Sequence, residues 1–246
     1  MSPDPQLIII APLLVAGAFV VFGITGFGST IVAVPLLAHL MPLKFVIPMF
    51  VLLDFAAALR TGLKFRESIA MRELAWLVPA MFAGIASGVF LLVRLPAEII
   101  LIALGIFVFG YGLYLTRGRE PKFKLRRAWA LPIGAFGGVI SALFGAAGPM
   151  YVVYLGARGL NPAQIRSTMS VVFVITTGAR IVLFAIAGLF AQDGVFTAAV
   201  ILAIPMLIGL WLGHRLHGNM PRQRLLQVIG AILIVSGGSL IVRAIA

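Results

Sequence analysis

Residues 23–37 read GITGFGSTIVAVPLL, a glycine-rich knot inside an apolar run that carries no formal charge from Leu7 to Leu40. A stretch of that kind belongs in lipid. Yet Gly23, Gly26, Gly28 and Pro35 weaken helices, and Thr25, Ser29 and Thr30 are polar. Length decides what the knot is. At about 1.5 Å per residue, 7–40 as one helix would measure about 50 Å, well beyond the hydrocarbon core. It is too short for two full spans. A helix that enters, breaks at the glycines and returns as a shorter arm satisfies both limits.

The rest of the chain supports a membrane setting. Of 246 residues 62% are hydrophobic and 11% charged, with a mean hydropathy of +1.15. A soluble domain of this length needs more polar surface, so the sequence predicts an all-α polytopic membrane protein. The net charge of +12 resides in short loops between apolar spans, which reads as topology-setting charge and excludes nucleic acid as a partner. There are no cysteines, hence no disulfide framework and no thiolate metal site.

Full spans are expected at 45–63, 74–93, 97–116, 166–189, 195–213 and 224–243, with 7–40 and 129–157 too long for one span each. Basic residues gather in four loops: Arg60, Lys64, Arg66 and Arg72; Arg117, Arg119, Lys122, Lys124, Arg126 and Arg127; Arg158 and Arg166; and Arg215, Arg222 and Arg224. Placing all four loops in the cytoplasm makes every full span alternate correctly. Each over-long segment then starts and ends on one side, and both termini face out. The architecture expected is about eight transmembrane segments.

The two halves also match in order. Gly17-Ala18-Phe19 recurs as Gly134-Ala135-Phe136, Phe27-Gly28 as Phe144-Gly145, Pro42 as Pro162 and Arg60 as Arg180. Gly84, Gly88, Pro96, Gly105 and Gly112 recur as Gly209, Gly213, Pro221, Gly230 and Gly237. Residues 1–120 and 121–246 thus read as two repeats, each a broken hairpin plus three spans. An odd number of spans inverts the second repeat. Inverted repeats with broken helices are the signature of secondary transporters, whose site lies near the midplane.

Two glycine-rich breaks offer half-helix N-termini, whose free N–H groups and dipoles favour an anion. The first lining comprises Gly26, Gly28, Ser29 and Thr30, and the second Ser141, Gly145, Ala146 and Gly148. The competing reading is that these glycines only let helices pack closely. Arg180, in TTGAR, lies well inside a span and is a candidate for the substrate path. Its repeat partner Arg60 stands near a span end, where it can snorkel. Asp54 is the one acidic residue inside a span, and is a candidate proton carrier or the salt-bridge partner of Arg180. Ser170 is a further path-lining candidate, whereas Ser167 or Thr168 reads as a helix cap.

The breaks GFGSTIVAVPLL (26–37) and SALFGAAGPMYVVYL (141–155), with RSTMS (166–170), resemble the sulfite exporter TauE/SafE family, also called the 4-toluene sulfonate uptake permease family. The resemblance spans nearly the whole chain. It implies a small inverted-repeat secondary transporter for sulfite, sulfonates or related sulfur-containing organic anions. An intramembrane enzyme would need a nucleophile with a base or a metal cluster; with no cysteine, no mid-span histidine and no acidic partner for Asp54, neither enzymatic activity nor a cofactor is expected. The family's glycine pair stands here as Gly26-Phe27-Gly28-Ser29, and its second copy as Ala146-Ala147 before Gly148. The first-half counterpart of RSTMS is IPMFV. Export of a sulfur-containing anion across the cell inner membrane is the expectation, with protons as optional partners and a homo-oligomer left open. A passive anion channel, or uptake of another organic anion such as a carboxylate, is the alternative.

Overall fold

The computed structural model describes residues 5–26, 28–62, 68–117, 124–216 and 222–245. Within them the chain forms α1 (Pro5–Thr25), α2 (Ser29–Leu37), α3 (Leu43–Gly62), α4 (Met71–Arg94), α5 (Ala97–Arg117), α6 (Ala130–Phe144), α7 (Gly148–Ala157), α8 (Pro162–Ile186), α9 (Val195–Leu216) and α10 (Arg222–Ile245), with short 3₁₀ turns at Arg127–Trp129 and Leu189–Ala191. No strand occurs among the described residues.

Among the described residues, five segments are long and apolar enough to cross a membrane: α4, α5, Arg127–Phe144, α8 and α9. α1 and α10 are apolar over Ile9–Thr25 and Gln227–Arg243. The span expected at 45–63 corresponds to α3, which carries Asp54 and Arg60 within it. At nine and ten residues, α2 and α7 reach only about 15 Å and are half-helices.

Both half-helices follow a break built on left-handed glycine. The N–H of Gly26 (φ 81°) donates to the Phe22 carbonyl at 2.7 Å, and that of Gly145 (φ 66°) to the Ser141 carbonyl at 2.9 Å. Each glycine therefore ends the preceding helix in the same way. Gly28, at φ 96°, then stands as N-cap of α2, whereas Ala147 opens α7 with Pro149 in its first turn.

The helices group into two compact units. One contains α1, α2, the start of α3 to Met49, α5, α9 and α10; the other contains α3 from Phe50, α4, α6, α7 and α8. Segments from both ends of the chain thus contribute to the first unit. In the first unit α1 packs on α9 and α5 on α10, while in the second α4 packs on α6.

Glycine makes these contacts possible. A Cβ on Gly88 of α4 would stand 2.7 Å from the Ala142 methyl and 2.9 Å from the Val139 carbonyl, and one on Gly213 of α9 would collide with the Val20 carbonyl. On α5 and α10 the contact is reciprocal. Gly105 faces the Gly237 carbonyl and Gly237 faces that of Gly105, and Gly112 and Gly230 do the same. Lipid tails are as apolar as leucine, so close backbone approach is what holds such pairs together.

The outer surface is apolar. Val200, Ile201, Ile204 and Ile208 of α9 and Val228, Val235 and Val242 of α10 are more than half exposed, as suits faces turned to lipid. Trp76, Trp129 and Trp211 are 46–51% exposed near helix ends, the position of an aromatic belt. The Arg215 guanidinium covers the Trp211 ring at 4.1 Å.

Candidate functional site

In the first unit the break gathers Gly26, Gly28, Ser29 and Thr30 within five residues. Ser29 and Thr30 are buried in the first turn of α2. Its N-cap is Gly28, which has no side chain, so the N–H groups of its first turn face the break. A Cβ on Gly26 would meet nothing within 4 Å. Glycine stands there for its backbone angle, unlike the glycines of the helix seams.

In the second unit Ser141, Gly145 and Gly148 share the other break. Ser141 and Gly148 are buried, and Gly145 is partly exposed. Here too no side chain caps the half-helix. Gly137 of α6 makes room for the Tyr151 ring of α7, whose hydroxyl would stand 2.7 Å from a Cβ at that position. That hydroxyl is buried and has no hydrogen-bond partner.

Arg180 lies deep in α8 at 2% exposure. Its Nε and Nη2 are buried without a hydrogen-bond partner, a costly state for a guanidinium in protein or lipid. One turn on, the Phe184 ring lies under it at 5.5 Å. The acidic charge acting on it is that of Asp54 in α3, which is partly buried. The hydroxyls around it are already engaged. Thr176 donates to the Val172 carbonyl at 2.8 Å and Thr177 donates to that of Phe173. Ser170 turns back to the Arg166 carbonyl at 3.1 Å. Arg60 is exposed in the last turns of α3. Of the polar candidates in this unit, Arg180 is buried, Asp54 is partly buried, and Ser170 bonds within its own helix.

The start of α8 differs from the sequence expectation. The helix begins at Pro162, four residues before Arg166, because Asn161 caps it: the Asn161 side chain accepts from the Gln164 N–H at 2.8 Å and the Gln164 side chain accepts from the Asn161 N–H at 3.1 Å. Thr168, expected as a cap for its own helix, instead accepts from the Ala70 N–H ahead of α4 at 3.0 Å.

A second polar cluster was hidden in the sequence. Glu73, one residue ahead of the span expected at 74–93, is 4% exposed in the first turn of α4. It accepts from the Tyr154 hydroxyl at 2.6 Å, from Arg127 at 3.2 Å and from Arg158 at 3.2 and 3.3 Å. Arg158 also reaches the Leu125 carbonyl at 2.8 Å. One carboxylate thus fastens the start of α4, the turn before α6 and the end of α7 together. The available signal was an acidic residue beside Arg72 in a strongly basic region, which needs a reason to be there.

Helices broken within apolar segments, together with a buried guanidinium short of partners, are the equipment of a membrane transporter. The chain belongs to the sulfite exporter TauE/SafE family, whose pattern it matches over residues 9–240. It is 30% identical over 193 residues to the probable inner membrane transporter protein TsaS of Comamonas testosteroni, covering 77% of this chain and 80% of that protein. It is also 29% identical over 113 residues to the probable sulfite/organosulfonate exporter TauE of Cupriavidus necator, covering 46% of this chain and 43% of that one. No solved structure matches it.

Proposed function

We propose that the protein is a secondary transporter that carries sulfite or an organosulfonate out of the cell across the inner membrane. The two halves act as inverted repeats, both termini lie on the outer side, and access alternates as one repeat rocks against the other about the glycine breaks. Family membership supports the transport reading, and the name of the Cupriavidus relative supports the substrate and direction. The observation that carries the site is Arg180, a charged group sealed in α8 with two donors unmatched by the protein. A buried cation with free donors is a receptor for an anion. Each break offers weaker, dipolar attraction within its own unit, through the α7 N-terminus with Ser141 in the unit of Arg180 and through the α2 N-terminus with Ser29 and Thr30 in the other.

Export needs no coupling ion. An anion leaving a negative interior gains about 2.3 kcal/mol per charge per 100 mV. Asp54 is the proposed proton carrier should uptake against that potential occur. In proteoliposomes loaded with labelled sulfite, Arg180→Ala should abolish saturable efflux while Ser170→Ala retains it. Undiminished efflux from correctly folded Arg180→Ala removes Arg180 from the path. Sulfite flux that is pH-independent and survives Asp54→Asn removes the proton role from Asp54.

A further inference from the structure

We infer that the second unit carries a receptor for the phosphate of an anionic phospholipid, in the pocket where the start of α4 meets the turn before α6 and the start of α8. The pocket has a volume of about 470 Å³, inside the usual range of ligand sites, roughly 300–1,000 Å³. Arg72, Glu73, Arg127 and Gln164 are its polar lining, and Met71 and Leu160 belong to its apolar part. The nitrogens around it divide into committed and uncommitted. Arg158 spends Nε and Nη2 on Glu73 and Nη1 on the Leu125 carbonyl. Arg127 gives Glu73 only its Nε, at 3.2 Å. Its two Nη groups are left for an outside acceptor, on a side chain that is 40% exposed. Arg72 stands in the same lining, exposed and with no ion-pair partner among the described residues. Gln164 commits its Oε1 to the Asn161 N–H, which leaves its amide N–H groups to donate.

A carboxylate standing alone in the pocket would repel a phosphate. Glu73 does not stand alone: it is 4% exposed and is covered by two guanidinium groups and the Tyr154 hydroxyl. Its bond to Nε also holds Arg127 in place, which lowers the cost of ordering that side chain on a ligand. The surroundings favour a lipid over a free anion. Trp76 follows Arg72 on α4 and Trp129 follows Arg127, and they are 46% and 51% exposed, which sets the pocket at headgroup level. Met71 is largely exposed, and Phe82 of α4 and Leu131 and Phe136 of α6 continue an apolar outer surface. Acyl chains lying on that surface would bring the headgroup phosphate to the arginines, the way basic pockets between membrane helices hold anionic headgroups. A soluble phosphate would gain the arginines alone. None of this depends on what Arg180 binds.

The test titrates phosphatidylglycerol into the purified full chain in a neutral detergent and counts retained lipid by native mass spectrometry. Phosphatidylglycerol should bind at least about tenfold more tightly than zwitterionic phosphatidylcholine with the same chains, since each arginine near the surface supplies roughly fivefold. Arg72→Gln and Arg127→Gln should each weaken it roughly fivefold. Arg215→Gln removes an exposed arginine beside Trp211 in the first unit and should leave the affinity within about twofold. Phosphatidylcholine held as tightly as phosphatidylglycerol overturns the inference, and that comparison needs no variant to fold. Equal losses in Arg72→Gln and Arg215→Gln would mean diffuse attraction to the whole basic surface and would overturn the pocket. Unchanged affinity in Arg72→Gln and in folded Arg127→Gln overturns it too. Excess inorganic phosphate should leave the lipid bound; displacement by phosphate alone assigns the pocket to a free anion and overturns the lipid reading.

Discussion

The two units use the same device and equip it differently. In each, a long helix ends at a left-handed glycine, Gly26 in one and Gly145 in the other, and a half-helix follows without a side-chain cap. In each, glycines seat a neighbouring helix against that long helix, Gly209 and Gly213 on α1, Gly84 and Gly88 on α6. Yet the buried polar groups described in the first unit are hydroxyls, Ser29, Thr30 and Ser236. The second unit buries Glu73, Arg180, Ser141, Ser167, Thr168, Thr176 and Thr177. A break in a helix is therefore a scaffold, and the buried ionic groups among the described residues lie in one of the two units.

The strongest test of structural equivalence lies in the seams. Gly88→Leu and Gly213→Leu each force a side chain into a backbone, and each should cost about 3 kcal/mol, seen as a large loss of melting temperature in detergent. Gly17→Ala is the control, since a Cβ there meets nothing within 4 Å, and it should leave stability unchanged or slightly raised. Unequal losses at Gly88 and Gly213 would break the equivalence.

Next in size is Glu73→Gln, which removes an ionic hub belonging to the second unit. The Arg127 and Arg158 side chains are 40% and 23% exposed, so solvent screens part of the loss and about 2 kcal/mol is expected. A neutral result would show that the cluster does not hold α4, α6 and α7 together. Smaller still are Gly26→Ala and Gly145→Ala, at about 1–2 kcal/mol each for placing a side chain at left-handed backbone. Measured melting temperatures that differ strongly between them would separate the two breaks.

The smallest effect belongs to the first unit. His39 lies in the turn after α2, where burial, and then the nearby Arg243 guanidinium, hold its pKa below the ordinary 6.5. Arg243 is fixed there by a 2.9 Å bond to the Ala38 carbonyl. The unfolded chain takes up a proton at His39 before the folded one does. Stability is thus fully present above pH 6.5 and declines as pH falls below it. His39→Gln should flatten that decline by a few tenths of a kcal/mol; an unchanged acid limb in a melting series would contradict the assignment.

Much of this was legible because it is local. The over-long segments and their glycines marked both breaks, whereas Gly84, Gly88, Gly209 and Gly213 read only as repeat markers and the structure shows them at the seams. Helix pairing was not legible, since α4 meets α6 and α1 meets α9 through contacts that no periodicity records. The Glu73 cluster needed three separated segments, and only the fold joins them. The boundary of α8 was missed for a local reason: Asn161-Pro162 is a start signal, and the hydroxyl run at 167–170 drew attention from it. Arg180 was marked by depth alone, and its want of partners emerged from its surroundings.

The central claim is that Arg180 holds the transported anion, and direct binding tests it without dependence on coupling or direction. Methanesulfonate titrated against the purified full-length protein should raise the melting temperature in a concentration-dependent way. Folded Arg180→Gln should show no such rise. An equal, saturable rise in wild type and Arg180→Gln would contradict the account.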